Sequence, residues 1–521
     1  MSRVAFYTFG CRINQYDTET IRTLLEETGR FHTVPARETA DIYIINTCSV
    51  TAQADATARK AIRRISSERP AARIVVTGCY AQRSGAEIAR LPGVALVLGV
   101  PDRVRIVSEI DRILAATETG VRETTAADRQ SHWLPSCPES TSSKEDTSTP
   151  AGRNSKAPEK LVGRSVRRHG DNGPHKPIAR SAVSPIATLH DFPEIPITRM
   201  MNRSRAIVKI QDGCNGACSF CVIPQTRGRA RSRQPARVIH QVTRLVDNGY
   251  REIVLAGVHL GDYGPGNDGP IDGGWGLGSG ETALSHLIQR ILAIPGLMRL
   301  RLSSIGPNAV TDEIIRLMAT EARFARHLHI PLQSGSDEIL ARMNRDYRVA
   351  RFEGLMHSIT DAIPECGIGT DILCGFPGES ETLFEETVAR ITDLPLSYLH
   401  PFPYSARPGF PAESFHGQVS NEEKKSRTRR LKQLSREKTR AFQQRHLGRR
   451  VSVLLEGPER DSGKGPYEKK DSTQVGWTDN YLRVSVRGVP ANSGAGLQTV
   501  RVTGLGEDGL TGEIFIPSTD R

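Results

Sequence analysis

The stretch that decides the fold, residues 209–233, reads KIQDGCNGACSFCVIPQTRGRARSR. Its cysteines, Cys214, Cys218 and Cys221, follow the strand-like run 206–211 with the spacing CxxxCxxC. Thiolates at this spacing can converge on one soft metal centre. A structural zinc takes four ligands, whereas three thiolates on a four-iron cluster leave one iron open to react. The spacing therefore favours a reactive cluster over a zinc loop that borrows a ligand, or over three unligated thiols.

Length, charge and cysteine content limit the classes of protein to which this chain can belong. The 521 residues suffice for about two to four domains, with a net charge of +12 and nine cysteines. No apolar run approaches the ~20 residues of a membrane helix, and the opening MSRVAFYTFG is typical of a strand, not of a signal peptide. We therefore expect no membrane partner and a cytoplasmic location, where cysteines favour metal or redox chemistry over disulfides. The positive charge indicates an acidic partner, with nucleic acid first.

Residues 1–119 alternate strands and helices, which predicts a parallel α/β sheet. Cys11, Cys48 and Cys79 each come just after a predicted strand. Since the carboxyl ends of parallel strands share one edge of a sheet, we expect these cysteines to meet there and hold a second cluster with one open iron. The competing interpretation is that each is a small apolar core residue. The predicted strands are residues 4–10, 42–46, 73–78 and 95–99.

Residues 120–197 change in character, being rich in Ser, Thr, Pro, Lys and Arg and poor in apolar side chains. Such a segment cannot bury enough apolar surface to offset its chain entropy. It is predicted to be a disordered insert or linker, and its Cys137 a free thiol.

Residues 198–420 resume the α/β alternation with six predicted strands, which indicates an open (β/α)6 barrel whose chemistry lies at the carboxyl ends of the strands. The glycine-rich residues 264–280 are predicted to form an exposed loop, and Cys366 and Cys374 to be core thiols. The predicted strands are residues 206–211, 252–258, 299–305, 327–332, 368–375 and 398–404.

The end of the chain combines a basic helix with a small β module. Residues 421–446 are predicted to be a helical linker, and residues 421–450 contain four lysines and eight arginines against three glutamates. This charge suits either a solvated helix face or a phosphate-binding surface. Within residues 447–519, short β runs at 451–456, 475–486, 499–503 and 511–516 predict a β-barrel.

Taken together, these features resemble the methylthiotransferase branch of the radical S-adenosylmethionine (SAM) superfamily, over nearly all of the chain except the insert. The resemblance implies an N-terminal cluster domain, a radical SAM barrel and a C-terminal TRAM domain. The opening motif and GVHLGDYG (257–264) are most similar to the MtaB group, which acts on threonylcarbamoyladenosine at position 37 of tRNA. Besides CxxxCxxC, the motifs that carry the resemblance are TFGCRINQYDTE, INTCSVT, VTGCYAQ, HIPLQSGSDEIL, DILCGFPGE and PFPYSARPG.

The resemblance also implies the cofactors. Cys214, Cys218 and Cys221 would hold a [4Fe–4S] cluster that chelates SAM, and the three N-terminal cysteines a second [4Fe–4S] cluster that presents the sulfur. A 5′-deoxyadenosyl radical would take hydrogen from C2 of the adenine, a step that the cofactor must carry. A second SAM would supply the methyl group, and a flavodoxin or ferredoxin type of donor the electron. Residues expected to contact SAM are Gly257, Ser303, Ser304, Gln333, Asp371, Gly375 and Gly378.

Basic residues are the expected tRNA or anion contacts, although a solvated run is the alternative for those after the cluster loop. Two positions depart from the family pattern, since Gly306 and Ala230 stand where an acidic residue is common. Alternative functions are the same chemistry on isopentenyladenosine-37 or on a ribosomal protein aspartate, and, more distantly, a non-catalytic RNA-binding metalloprotein. The expected anion-binding residues are Arg227, Arg229, Arg231, Arg233, Arg429, Arg430, Arg449 and Arg450.

Overall fold

The computed structural model describes residues 1–119, 179–195, 197–200, 204–265, 275, 282–456, 473–489 and 496–516. Along the chain these form a parallel sheet domain, an open α/β barrel, a long helix and a small closed β-barrel. This is the fold class that the sequence predicts. No helix in these ranges is both long and apolar enough to cross a membrane.

The first domain is a sheet of six parallel strands in the order β2-β1-β3-β4-β5-β6. Its apolar side chains form two hydrophobic clusters, as expected of a parallel sheet that helices cover on both faces. The elements are β1 (Ser2–Thr8), α1 (Arg12–Glu27), β2 (Phe31–Thr33), β3 (Ile42–Thr47), α2 (Ala52–Glu68), β4 (Arg73–Gly78), α3 (Cys79–Ala89), β5 (Val94–Leu98), α4 (Ile106–Thr119) and β6 (Arg180–Ala182).

The two edge strands, β2 and β6, were not predicted. The interpretation of residues 120–197 as one disordered segment is wrong for residues 179–195, because β6 pairs with β5 and Ala179 and Val183 join the core of the sheet. Three strand residues in a polar segment carry too little periodicity to be recognised from sequence. Residues 120–178, including Cys137, lie outside the described residues.

Two deletions should separate the insert from β6. Replacing residues 122–176 by a flexible linker of about 12 residues should leave the melting temperature nearly unchanged, because every described strand pairing is kept. Extending the deletion to residue 188 should lower it clearly, since β6 is lost together with the hydrogen bond from Ser184 N to Asp102 Oδ2 (2.8 Å). Equal melting temperatures of the two variants would contradict this assignment of β6.

The second domain places six parallel strands around an open barrel. They form two three-stranded sheets, β11-β10-β7 and β12-β13-β14, which single bridges such as Ser304 to His329 connect. Cys366 and Cys374 lie in the core, as predicted. The elements are β7 (Arg205–Lys209), β8 (Gln211–Asp212), α5 (Ile223–Arg227), β9 (Arg231–Ser232), α6 (Pro235–Asp247), β10 (Glu252–Ala256), α7 (Ala283–Leu292), β11 (Arg299–Leu302), α8 (Asp312–Thr320), β12 (His327–His329), α9 (Asp337–Arg342), α10 (Val349–Ala362), β13 (Gly367–Cys374), α11 (Glu381–Asp393), β14 (Tyr398–Pro403) and α12 (Asn421–Gln444).

The last domain is a closed barrel in the order β15-β16-β17-β19-β18, which docks on the amino ends of the larger barrel's strands. Buried Arg299 and Arg301 of β11 donate hydrogen bonds to backbone carbonyls of this domain, including Trp477 O (3.1 Å) and Thr478 O (2.9 Å). The elements are β15 (Arg450–Leu455), β16 (Gln474–Thr478), β17 (Arg483–Arg487), β18 (Leu497–Leu505) and β19 (Leu510–Ile514).

The C-terminal β run, the end of the long helix and one residue of the glycine-rich loop differ from the prediction. The run 475–486 is two strands, since a turn separates β16 from β17, and α12 ends at Gln444, short of the predicted residue 446. The predicted loop 264–280 lies mostly outside the described residues. Its Trp275 is buried, with its ring centroid 5.3 Å from that of Tyr263, so this residue is not exposed as predicted.

Candidate functional site

The first set of thiols lies in the loop after β8. Gly216 lies between two of them, since a Cβ at this glycine would be 3.3 Å from Cys214 Sγ and 3.9 Å from Cys218 Sγ. Burial raises the pKa of the Cys221 thiol to about 12. The free thiol would therefore stay protonated at neutral pH, and loading with metal must release its proton.

Hydrogen bonds from the segment after α9 hold this loop in place. Arg345 Nη1 donates to Cys218 Sγ (3.1 Å), and Asn344 Nδ2 donates to Ala217 O (2.8 Å). Ser219 binds the same segment through its backbone N–H, which donates to Met343 O (3.1 Å). These contacts place the guanidinium of Arg345 directly on the Cys218 sulfur.

The second set of thiols lies at the carboxyl edge of the first sheet, as predicted. Cys11, Cys48 and Cys79 follow β1, β3 and β4, which are neighbours in the sheet. Burial raises the pKa of the Cys48 thiol to about 12, and the nearby thiols of Cys79 and Cys11 add to this rise. The three side chains therefore share one small volume. Apart from the two sets, the described cysteines are Cys366 and Cys374, so neither set has a fourth cysteine among the described residues.

A glycine brings the second set together. Gly10 has φ +95°, and a Cβ there would lie 2.6 Å from Cys48 Cβ. Only glycine combines this left-handed backbone with such a close approach. Asn14 Nδ2 fixes the same edge by donating to Phe9 O (2.8 Å) and Thr47 O (2.9 Å). Three thiols and no fourth cysteine suit a [4Fe–4S] cluster with one open iron at each set.

A buried ion cluster joins the first sheet to the barrel beside the second set of thiols. It consists of three cations, Arg103, Lys209 and Arg227, and two carboxylates, Asp17 and Asp212, whose side chains are all at most 6% exposed. Lys209 Nζ lies 2.7 Å from Asp17 Oδ1 and 2.8 Å from Asp212 Oδ2. Arg227 lies 2.9 Å from each carboxylate.

Arg227 connects this ion cluster to the thiols. Burial disfavours its charge, but Asp212, Cys79, Asp17 and Cys11 together raise the pKa of the guanidinium well above its usual range. The ion cluster has one positive charge in excess of its carboxylates. That excess can balance the net negative charge of a cluster held by three thiolates.

Three of the predicted anion-binding arginines are internal, which corrects both the anion-binding and the solvated interpretations. Arg227 is engaged in the ion cluster, and Arg231 donates to the carbonyls of Arg229 (2.7 Å) and Arg227 (2.8 Å). Arg233 Nε donates to Glu194 Oε2 (2.8 Å). Most of their partners lie outside the arginine-rich stretch. The sequence of that stretch alone therefore could not show that these arginines are buried. Arg229 is exposed, and its contact with an anion stays a prediction.

The C-terminal arginines, in contrast, all lie on the surface. Arg430 pairs with Glu385 and Arg449 with Glu365, while Arg450 lies over the ring of Phe515, 4.9 Å from its centroid. All of these arginines are exposed, and exposed ion pairs exchange readily for a phosphate. Arg429 is exposed as well.

Several residues expected to contact SAM lie at or just after the carboxyl ends of the barrel strands. Gly257 follows β10, and a Cβ there would lie 3.0 Å from Gln211 Oε1. The Ser303 hydroxyl is buried and has no hydrogen-bond partner in the described structure, as suits a group that binds a ligand. Ser304 bridges to His329, and Gln333 has φ +70°, a backbone conformation that is uncommon for a residue other than glycine.

The turn after β13 contains two glycines with a left-handed backbone that pack against side chains of the chain itself. A Cβ at Gly375 (φ +73°) would lie 2.3 Å from Lys424 Cγ, and one at Gly378 (φ +91°) would lie 2.5 Å from Arg342 Cζ. The close approach that these glycines permit is made by side chains of the chain itself. The contact of SAM with Gly375 and Gly378 therefore stays a prediction.

The absence of a side chain at Gly306 has a structural explanation. A Cβ at this position would lie 2.9 Å from His259 Nε2, so the imidazole occupies the space that a side chain would need. His259 Nδ1 lies 3.1 Å from Asp262 Oδ1, and both groups lie within 4.8 Å of Cys214 Sγ. The space at Gly306 is thus filled by His259, which pairs with Asp262 beside Cys214.

The barrel interior contains a polar row in which Asp371, expected from the sequence to contact SAM, lies between two histidines that were not predicted. His329, Asp371 and His400 lie on β12, β13 and β14, with ligand atoms within 4.8 Å of one another. His329 Nε2 is 3.0 Å and His400 Nδ1 is 3.5 Å from Asp371 Oδ1. Burial raises the pKa of Asp371, but the two histidines lower it to about 2 overall. The alternation of polar and apolar residues in HLHI and YLHPF is the signal that could have revealed this row.

Comparison with known proteins first defines the class. Residues 208–391 match the model of the radical SAM superfamily, and residues 3–99 match uncharacterized protein family UPF0004. The radical SAM methyltransferase TsrM from Kitasatospora setae, with cobalamin and a [4Fe–4S] cluster bound, shares the fold with a TM-score of 0.50 at 15% identity, over 79% of this chain and 77% of that one. The protein is a radical SAM enzyme.

Relatives of similar length define the family. The threonylcarbamoyladenosine tRNA methylthiotransferase MtaB of Bacillus subtilis is 35% identical over 94% of this chain and 91% of its own length. MtaB of Aquifex aeolicus is 32% identical over 87% and 92%. The tRNA-2-methylthio-N(6)-dimethylallyladenosine synthase of Oleidesulfovibrio alaskensis is 31% identical over 97% of each chain. This chain belongs to the radical SAM methylthiotransferases of the MtaB type, and membership implies SAM and two [4Fe–4S] clusters as cofactors.

Proposed function

We propose that this protein adds a methylthio group to C2 of N6-threonylcarbamoyladenosine at position 37 of tRNA. The observation that carries the proposal is the presence of two separate sets of three thiols in a chain of the MtaB type. A structural zinc site or a simple RNA-binding module has no use for two such sets. The proposal includes a cytoplasmic location, where tRNA is found. It also includes an electron donor of the flavodoxin or ferredoxin type.

In this proposal the two sets of cysteines have different tasks. Cys214, Cys218 and Cys221 hold the cluster at which SAM binds, and Cys11, Cys48 and Cys79 hold the auxiliary cluster. When bound, these cofactors supply the radical, the sulfur and the methyl group. Arg345 stabilises the thiolate of Cys218, and the Ser303 hydroxyl offers a hydrogen bond to the bound SAM.

The exposed arginines provide the contact to the tRNA backbone. Arg229, Arg429 and Arg430 are exposed on the barrel and on α12, and Arg449 and Arg450 begin the C-terminal barrel. Phosphate contacts of this kind give affinity and position the RNA without reading its sequence. Recognition of the modified adenine must therefore come from the interior of the barrel.

Nucleoside analysis tests the function directly. Deleting the gene should remove the methylthio group from threonylcarbamoyladenosine in cellular tRNA, as measured by mass spectrometry, and the wild-type gene should restore it. The purified chain should contain about eight irons, four for each of two clusters. Loss of the methylthio group from isopentenyladenosine alone would assign the alternative substrate, and tightly bound zinc in place of iron would overturn the proposal.

A further inference from the structure

The polar row of His329, Asp371 and His400 lies on the inner face of β12, β13 and β14. The neighbouring strand residues, which point the other way, belong to the hydrophobic core, among them Leu328, Ile372 and Leu399. The row is accessible from outside, because the His400 side chain is 53% exposed and that of Asp371 is 23% exposed. Charged and polar groups at such a place can be used for binding.

Aromatic rings continue the row along β14. Tyr398 Oη lies 3.3 Å from His329 Nδ1, and its ring centroid is 5.0 Å from that of His400. Phe402, the next residue on the same face, is 42% exposed and lies edge-on to His400 with a centroid distance of 6.4 Å. An exposed aromatic ring beside polar groups offers a stacking surface for a base.

Arg12 brings a positive charge to the same space. It directly follows Cys11, and its Nη2 donates to Tyr481 Oη (3.2 Å), whose ring centroid lies 6.3 Å from that of Tyr398. Arg12 is half-buried, and no carboxylate of the described residues forms an ion pair with it. A half-buried guanidinium with only a phenol as partner is available for an anion.

The field of Arg12 reaches the strands that form the row. Burial lowers the pKa of His327, and the charges of Arg301 and Arg12 lower it further. Burial also raises the pKa of Tyr398, and Arg12 opposes this rise. Tyr481, which accepts the hydrogen bond from Arg12, also stacks on His327 with 4.4 Å between the ring centroids, so the guanidinium lies beside the residues that begin β12 and β14.

We propose that Arg12 and the row of His329, Asp371 and His400 form the subsite for the N6 substituent of the adenine, and that Arg12 binds its carboxylate. The inference rests on the proposed function. A threonylcarbamoyl group presents a free carboxylate, a carbonyl, an N–H group and a hydroxyl. The guanidinium matches the carboxylate, Asp371 and the imidazoles match the polar groups, and Phe402 stacks on the base.

The same arrangement disfavours an apolar substituent. An isopentenyl group would cover Arg12, Asp371 and His400 without replacing the hydrogen bonds that they make to water. Leaving buried polar groups unpaired is the strongest means by which a site rejects an analogue that lacks hydrogen-bonding atoms. The subsite therefore selects between the two known classes of modified adenosine substrate.

Binding of RNA to the full-length chain tests the subsite. Anticodon stem–loops that carry threonylcarbamoyladenosine, isopentenyladenosine or unmodified adenosine at position 37 are compared by fluorescence anisotropy. Wild type should prefer the first RNA. Arg12→Gln should reduce that preference by about tenfold or more, the effect of one charged hydrogen bond, while binding of the unmodified RNA stays within about twofold. Arg12→Lys keeps the charge and should retain most of the preference.

A second variant tests the subsite independently, in case Arg12→Gln does not fold. His400→Phe, on β14 and distant from the cysteines in sequence, should also reduce the preference for the threonylcarbamoyl RNA. If both Arg12→Gln and His400→Phe keep the wild-type preference, the subsite is overturned, even when wild type still methylthiolates threonylcarbamoyladenosine. If wild type makes no such product, the proposed function itself fails, and the two failures are thereby distinguished.

Discussion

Replacement of Cys48 by alanine is expected to abolish methylthiolation while sparing the cleavage of SAM. Cys48 belongs to the N-terminal set of thiols, whereas the CxxxCxxC set lies in a different domain and is held by its own hydrogen bonds. The iron content should fall from about eight to about four per chain. Formation of 5′-deoxyadenosine from SAM should continue, and no methylthiolated product should be detected in tRNA.

Cys366→Ala provides the matched control. Cys366 is also a buried thiol, but it lies in the hydrophobic core of the barrel, away from both sets. This variant should keep about eight irons and its activity, because it removes only a small apolar group. Methylthiolated product from Cys48→Ala would show that the auxiliary cluster does not need this cysteine and would contradict the assignment.

Replacement of Asp17 by asparagine is expected to destabilise the contact between the first sheet and the barrel by about 3–5 kcal/mol, the usual effect of breaking a buried ion pair. The buried ion cluster has three cations and two carboxylates, so this change leaves one carboxylate for three positive charges. Native-state hydrogen exchange of the amides in α1 and β7 should report the loss as a lower free energy of local opening.

Asp111→Asn is the control for this prediction. Asp111 forms an exposed ion pair with Arg30, with 2.7 Å between Arg30 Nη1 and Asp111 Oδ1. Exposed pairs contribute about 1 kcal/mol or less, so hydrogen exchange should barely change. Similar effects of the two substitutions would mean that the ion cluster does not hold the domains together.

Local patterns determined much of the fold. The two α/β domains could be predicted from the alternation of strand-like and helix-like segments. Each segment is identified by its hydrophobic periodicity, which depends only on neighbouring residues. The alternation also placed Cys11, Cys48 and Cys79 at one sheet edge, since the carboxyl ends of parallel strands always share an edge. The short strand β6 could not be predicted, because its place in the sheet depends on pairing with β5, about 80 residues earlier.

The sequence by itself therefore determined which cysteines come together, because the carboxyl ends of parallel strands share one edge and ligand spacing is a local pattern. Only the tertiary structure decided which charges are buried and which are available. Arg227 and Arg229 are two residues apart in the same basic stretch, yet Arg227 binds Asp17, which lies 210 residues away, and Arg229 faces solvent. Likewise, Arg12 and His400 acquire a common role only in the barrel interior. Burial and pairing of charges depend on residues that are distant along the chain, and no local pattern records them.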